Sequence, residues 1–223
     1  STLSSSSAAS DVYKRQQLIY FNLRALCEAP RMMLHTAGIE YSYEMAWDYF
    51  KKPWGDVKKE VIFHKLPLLV IDEKIEIWQS NTISRYIAKL TNNIPNNEEM
   101  VAYADSIFES AHDLFFPLNP TINVWVGEMH LKNKKNLLDE ILPKAFTNFE
   151  KLLSKYEGNF FLGERAFYCD FNVYHHVSLA LLLDDKILDN FPKLKKFMSD
   201  FEKIQGILAV SYTHLTLPTK RIV

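Results

Sequence analysis

Over the first ninety residues, short apolar runs alternate with stretches in which apolar residues recur at helical spacing. Gln17-Leu-Ile-Tyr-Phe-Asn carries an apolar run that ends near Tyr20, and Gly38 follows a helical stripe as a stop residue. Asp72-Glu73 separates two further apolar runs in the manner of a hairpin turn. The pattern therefore predicts, in chain order, a strand ending near Tyr20, a helix over 27–37, a strand over 41–45, a polar Lys-rich connection over 47–64, a hairpin of 66–71 and 74–77, and a helix over 80–90.

The pattern becomes helical after residues 91–97, an Asn-rich segment with a proline that has the composition of a linker. Apolar residues then recur at helical spacing. One stretch, 171–183, is apolar on nearly every side, which predicts a buried central helix. The helices predicted from this spacing cover 100–116, 137–156, 171–183 and 191–204.

The two patterns predict two domains between two tails. The β-α-β-(α)-β-β-α order over 17–91 has the size of a thioredoxin-like domain, and 98–210 forms an all-helical domain. Residues 1–16 are rich in Ser and Ala without periodicity, and 211–223 break the helical pattern. Both ends are expected to be non-native sequence or, alternatively, natural disordered tails.

Composition excludes several functions. The 223 residues are 48% hydrophobic and 24% charged, with a formal net charge of -1, which favours neither a nucleic acid nor a membrane surface as partner. The apolar runs are too short to span a bilayer. Two distant cysteines, Cys27 and Cys169, form no CxxC motif, and a reducing cytoplasmic location is expected.

Weaker motifs indicate neither a metal nor a nucleic-acid site. His175 and His176 are adjacent, so on a helix they point about 100° apart and cannot share one metal ion. Lys132-Asn-Lys-Lys135 is interpreted as a solvated turn rather than a nucleic-acid patch.

Two neighbouring motifs indicate a site for a short anionic peptide. A strand preceded by the Leu66-Pro67 bond offers its backbone to an extended ligand. Gln79-Ser80 opens the next helix, whose N–H groups and positive dipole end suit a carboxylate. Taken alone, Pro67 is also compatible with an ordinary trans proline, and Ser80 with a simple N-cap.

An ordered set of motifs resembles the cytosolic glutathione transferases over about 17–210, and within them the sigma-like class that includes the prostaglandin D synthases. The motifs are Tyr20-Phe-Asn-Leu-Arg with Glu28 and Arg31, Trp54-x-x-x-Lys58, Lys65-Leu-Pro, Gln79-Ser80 and Arg85-Tyr-Ile. The resemblance implies a thioredoxin-like α/β N-terminal domain, an all-α C-terminal domain and a homodimer. It also implies a detoxification enzyme that conjugates glutathione, its co-substrate, to small hydrophobic electrophiles.

The resemblance also implies a role for each candidate site residue. Tyr20 donates a hydrogen bond to the glutathione sulfur; taken alone, a core tyrosine at a strand end is the favoured interpretation, and the surrounding motifs reverse it. Leu66 offers its backbone to the cysteinyl unit beside a cis bond to Pro67. The carboxylates and the ammonium of glutathione are assigned to Gln79 and Ser80 (γ-glutamyl carboxylate), Trp54, Lys58 and Lys65 (glycyl carboxylate), and Asp113 (γ-glutamyl ammonium of the partner subunit). The electrophile pocket is assigned to Phe21, Leu26, Phe115 and Phe116, with Pro117, Pro120 and Trp125 marking a helix break beside it.

Three departures from the family pattern affect the expected class and stability. Ala25 replaces a glycine, and Leu26 stands where sigma-like members have an arginine beside the tyrosine hydroxyl. Phe167-Tyr-Cys-Asp170 keeps the carboxylate of a capping box but lacks its hydroxyl, a loss that costs about 1 kcal/mol unless another group compensates. The alternatives to conjugation are a glutathione-dependent prostaglandin D isomerase and a crystallin-like or ligand-binding homologue with little turnover.

Overall fold

A four-stranded mixed sheet forms the centre of the N-terminal part. The computed structural model describes residues 14–213 and the side chains of 14–210. The strands are β1 (Gln16–Tyr20), β2 (Tyr41–Met45), β3 (Leu68–Ile71) and β4 (Ile75–Trp78), arranged in the order β2-β1-β3-β4. Strand β2 runs parallel to β1, whereas β3 is antiparallel to both β1 and β4. The sheet therefore has the predicted thioredoxin-like order.

The edges of the predicted domains differ slightly from the observed elements. Strand β1 begins at Gln16, one residue before the predicted boundary at 17. The backbone N–H of the preceding Arg15 donates to Asp72 Oδ1 at 2.8 Å. The last helix, α11 (Ile207–Thr213), extends past residue 210, where a tail was predicted. The rest of the predicted tails, 1–13 and 214–223, lies outside the described residues.

Two amphipathic helices, α1 (Glu28–Thr36) and α4 (Ser80–Leu90), pack against each other beside the sheet. Helix α4 also packs against β3 and β4. The connection over 47–64 is not uniformly irregular, because it contains the short helices α2 (Ala46–Phe50) and α3 (Trp54–Val57) and a 3-10 turn (Ile62–His64). Apolar spacing did not predict these helical turns, because the connection is polar and rich in lysine.

The second half of the described chain is helical. Its helices are α5 (Glu98–His112), α6 (Phe115–Asn123), α7 (Gly127–Asn136), α8 (Leu142–Leu152), α9 (Tyr168–Leu181), α10 (Pro192–Glu202) and α11. A π-helical segment (Leu137–Ile141) joins α7 to α8. Helix α9 is buried over nearly its whole length and packs against α1, α4, α5 and α6, as predicted for a central helix.

Two local predictions in this half are wrong. Lys132–Lys135 belongs to α7 rather than to a turn, because a largely exposed helix can be polar all round and show no apolar stripe. The predicted helix over 100–116 ends early, at His112. The chain turns at Asp113-Leu114, and Pro117 and Pro120 then lie within α6, which ends at Asn123. Pro117 lies in the first turn, where a missing N–H costs little.

Helix α9 compensates for the missing cap hydroxyl. The N–H of Asp170 donates to the carbonyl of Phe167 at 2.8 Å, and the Asp170 carboxylate accepts from the N–H groups of Phe167 (2.8 Å) and Phe161 (3.0 Å). Burial raises the pKa of Asp170 to about 6, and the two backbone donors oppose this shift. One carboxylate thus satisfies two backbone donors and joins the start of α9 to the preceding loop.

Asp170→Ala is expected to lower the free energy of unfolding by about 2–4 kcal/mol, because two backbone N–H groups lose their acceptor. Asp170→Asn keeps one acceptor oxygen and is expected to cost about half as much. Urea unfolding at pH 7.5, followed by circular dichroism, measures both variants. Equal stability of the alanine variant and the parent protein contradicts the capping role.

His176 predicts a loss of stability in acid. Its Nδ1 lies 2.9 Å from the carbonyl of Asn172, and burial lowers the pKa of the ring to about 4. Between pH 6.5 and 4 the unfolded chain therefore binds a proton that the folded protein does not, so stability falls as the pH falls. From pH 7 to pH 5, the parent protein is expected to lose about 2 kcal/mol more than His176→Asn. Groups common to both proteins, such as Asp170, cancel in this comparison, and parallel stability curves contradict it.

The described residues include no helix long and apolar enough to cross a membrane. Within the same residues, no cluster of three or more His, Cys, Asp or Glu side chains is arranged to hold a metal ion.

Candidate active site

The strand register gathers three segments at one edge of the sheet. Ile19, near the end of β1, lies opposite Leu68 at the start of β3. Leu68 in turn lies opposite Trp78 at the end of β4. The residues that follow or precede these pairs therefore share that edge: Tyr20, Leu66-Pro67 and Gln79-Ser80.

Tyr20 ends β1 with its side chain only 4% exposed. Burial is the main cause that raises the pKa of its hydroxyl far above the usual value, the nearby thiol of Cys27 adds to the shift, and the backbone N–H of Leu26 opposes it. A hydroxyl with a raised pKa stays protonated at neutral pH and can act only as a neutral donor or acceptor. The site therefore holds a hydrogen-bond donor at the sheet edge.

The Leu66-Pro67 bond is cis, as the family resemblance implies. Both residues are buried, whereas the preceding Lys65 is exposed. The bond immediately precedes β3, beside the end of β1 that carries Tyr20. Two of the predicted site segments are thus neighbours.

The start of α4 is open to an external acceptor. Gln79 occupies the N-cap position with φ +70°, in the left-handed region that few residues other than glycine adopt. Such backbone strain is typical of functional sites. Ser80 is the first helical residue and its hydroxyl donates sideways to Asn81 Oδ1 at 3.4 Å, so Ser80 is not a simple N-cap. Among the described residues, none caps this helix with its side chain.

Trp54 lies against the segment that follows Tyr20. Its ring centroid is 5.6 Å from that of Phe21 in an edge-on arrangement, and Phe21 is 5.2 Å from Tyr20. Lys58 follows α3 and is exposed, as is Lys65. The aromatic contacts thus connect Trp54 to the sheet edge, and the two lysines lie on the surface of the same part of the protein.

The predicted pocket residues belong to two separate groups of contacts. Phe21 and Leu26 are half-buried in the segment after β1. Phe115 stacks on His112 at 5.9 Å, and Phe116, 66% exposed, lies edge-on to both. The composition of a shared pocket stays a prediction. Asp113 is exposed directly after α5, next to this aromatic cluster.

Sequence reasoning missed the polar links that hold these elements. Arg24, quoted only as part of a motif, donates from Nη2 to Ser178 Oγ in α9 at 2.7 Å. Asn81 Nδ2 donates to Glu109 Oε2 at 2.8 Å and joins the start of α4 to α5. Arg85 forms two bonds to Asp105, at 2.8 and 2.9 Å. The spacing of Asp105 and Glu109, one turn apart on α5, was the only sign of this link in the sequence.

Comparisons with known proteins agree with this arrangement. Residues 16–89 match the family model "Glutathione S-transferase, N-terminal domain", and 112–210 match "Glutathione S-transferase, C-terminal domain". Human glutathione S-transferase Mu 3 is 34% identical over 197 residues, which are 85% of this chain and 84% of that protein. Glutathione S-transferase P 10 of Caenorhabditis elegans is 28% identical over 181 residues, 81% of this chain and 83% of its own length.

Solved structures of glutathione S-transferases have the same fold as this chain. The Pi-class glutathione S-transferase of Onchocerca volvulus superposes with a TM-score of 0.77 at 27% identity, covering 88% of this chain and 92% of that chain. Rat hPGDS complexed with a quinoline has a TM-score of 0.76 at 21% identity, covers 91% and 98% of the two chains, and shows the shared fold alone. With a thioredoxin-like domain, a helical domain and a curated relative at 34% identity, the chain belongs to the glutathione S-transferase family.

Proposed function

We propose that this glutathione transferase binds glutathione along the sheet edge and uses Tyr20 to stabilise its thiolate. The observation that carries the proposal is the buried hydroxyl of Tyr20, beside the cis Leu66-Pro67 bond and close to the open start of α4. A hydroxyl that donates to sulfur favours the thiolate over the thiol and lowers the pKa of the thiol. More of the nucleophile is then present at neutral pH.

The rest of glutathione finds complementary groups around Tyr20. The backbone N–H and C=O of Leu66 pair with the cysteinyl unit, as in strand addition. The free N–H groups of α4 and the hydroxyl of Ser80 receive the γ-glutamyl carboxylate, with Gln79 beside them. Trp54, Lys58 and Lys65 hold the glycyl carboxylate, which suits their position on the surface of the same domain.

The chain is proposed to act as a homodimer. Ile62 and Phe63 are 54% and 57% exposed, and the backbone of Phe63 has φ +62°, so a strained turn presents two large apolar side chains to solvent. Such exposure is typical of an interface. Asp113 is assigned to the γ-glutamyl ammonium bound by the partner subunit, a role that its exposure at the end of α5 permits.

The electrophile is proposed to be a small hydrophobic molecule held by Phe21, Leu26, Phe115 and Phe116, since apolar pockets bind apolar substrates. The sigma-like class, and with it prostaglandin D isomerisation, stays a prediction based on the motifs, and Leu26 argues against it. A crystallin-like role would leave binding intact with little turnover. A cytosolic location is supported by two buried cysteines that form no disulfide.

Tyr20→Phe removes the donor and keeps the ring. The rate of glutathione conjugation to an aryl halide is expected to fall about 10- to 100-fold at pH 6.5, and to recover as the pH rises, because the thiol then ionises without help. The KM for glutathione is expected to change little. Rates measured from pH 5.5 to 9.5 test this, and an unchanged pH profile contradicts the thiolate role. Glutathione binding without turnover in the parent protein points to the crystallin-like alternative.

Asp113→Asn tests the shared site. The KM for glutathione is expected to rise about tenfold, because a charge-assisted hydrogen bond is lost. Mixing Asp113→Asn chains with Tyr20→Phe chains then distinguishes the two geometries. If Asp113 acts on the partner's ligand, each mixed dimer regains one intact site, and the mixture recovers about a quarter of the parent activity at low glutathione. A mixture no more active than its two components shows that Asp113 acts within its own subunit or not at all.

A further inference from the structure

The segment between Tyr20 and α1, residues 21–27, is held by polar contacts at two points. At its start, the hydroxyl of Tyr43 donates to the carbonyl of Phe21 at 2.7 Å. Further along, Arg24 Nη2 donates to Ser178 Oγ at 2.7 Å, and Ser178 belongs to α9 of the helical domain. The segment that follows the candidate catalytic residue is therefore attached to both domains.

The contact with Ser178 has a defined direction. The Ser178 hydroxyl donates to the carbonyl of His175 at 2.7 Å, so its proton is engaged and its lone pairs are available to Arg24. Asn172, on the same helix, donates from Nδ2 to the carbonyl of Phe108 at 2.8 Å and ties α9 to α5. Ser178 is thus presented from a fixed, buried helix rather than from a mobile loop.

A buried charge cluster keeps Arg24 in place. Its Nε lies 3.4 Å from Glu28 Oε1, and Arg31 Nη1 donates to Glu28 Oε2 at 3.3 Å. The Glu28 side chain is 1% exposed, so these pairs are weakly screened. The Arg31 guanidinium lies 4.7 Å from the centre of the Tyr43 ring, the same tyrosine that holds Phe21. The two attachment points of the segment therefore belong to one connected network.

The network bears on Tyr20 through Phe21, the next residue of the chain. Tyr43 holds the Phe21 carbonyl, and the ring centroid of Phe21 lies 5.2 Å from that of Tyr20. A shift of segment 21–27 at Arg24 therefore displaces the side chain that packs against the Tyr20 ring.

We propose that Arg24 and Ser178 are positioning residues for the transferase reaction. Their hydrogen bond lets the helical domain fix segment 21–27, and with it the Tyr20 ring that packs on Phe21, so that the Tyr20 hydroxyl is directed at the glutathione sulfur. This inference rests on the proposed thiolate role of Tyr20. It assigns Ser178, which lies in the domain that carries Phe115 and Phe116, an effect on the pKa of the bound thiol.

The test compares Ser178→Ala with Ser178→Thr, which keeps the hydroxyl. Ser178→Ala is expected to lower the conjugation rate about 3- to 10-fold at pH 6.5 and less than about twofold at pH 9, as a raised thiol pKa requires. Ser178→Thr is expected to restore the parent profile. Ser106→Ala is the matched control, because Ser106 also donates to the carbonyl three residues before it, at 2.7 Å, but on an exposed face.

A double variant separates this inference from the role of Tyr20. If Ser178 acts through Tyr20, adding Ser178→Ala to Tyr20→Phe changes the pH profile no further. Provided that Tyr20→Phe impairs the rate, two results overturn the inference. One is a pH profile of Ser178→Ala that overlays the parent profile. The other is an equal loss of rate from Ser178→Ala in the parent and in Tyr20→Phe at every pH. If Tyr20→Phe itself leaves the profile unchanged, the proposed function and this inference both fail.

Discussion

The antiparallel pairing of β1 with β3 is the constraint on which the site depends. By setting Ile19 opposite Leu68, it brings the end of one strand to the start of the other. The pairing of Leu68 with Trp78 adds the start of α4 to the same edge. A slip of one residue in this register would turn the side chains of the shifted strand to the other face and separate the hydroxyl of Tyr20 from the Leu66 backbone that is proposed to bind glutathione.

Burial at that edge explains why a tyrosine suits the proposed role of a neutral hydrogen-bond donor. Desolvation disfavours the phenolate, so the hydroxyl keeps its proton across the physiological range and remains a donor. Under the proposed function, a bound thiolate receives that donor in a site of low dielectric, where a hydrogen bond to a charged group is stronger than in water. The same burial makes the surrounding network of Arg24, Glu28 and Arg31 sensitive to the loss of any member.

The sequence predicted the parts of the molecule that local rules control. The strands follow from short apolar runs, and the helix beginning at Ser80 follows from its apolar spacing. The cis bond before Pro67 was expected only from the family resemblance. Helix α7 escaped prediction because its lysines leave no apolar stripe, and the break after His112 escaped because nearby prolines were the stronger sign. At the start of α9, the Phe167 carbonyl compensates for the absent hydroxyl, and backbone groups cannot be read from residue types.

Long-range polar contacts were beyond sequence reasoning for a different reason. Arg24 and Ser178 are separated by 154 residues, and Ser178 interrupts an otherwise apolar stretch without any pattern of its own. Only the packing of α9 against α1 brings the two side chains together. The family resemblance supplied the residues proposed to contact glutathione, whereas the structure shows those that hold segment 21–27.

The most direct test of the account is the pKa of the thiol of glutathione bound to the parent protein. Thiolate absorbance near 240 nm, followed from about pH 5 to pH 10, measures it without an electrophile. The account predicts a pKa about two units below the roughly 8.5 of a free thiol, because Tyr20 stabilises the charged form. A bound thiol that titrates like free glutathione would contradict it.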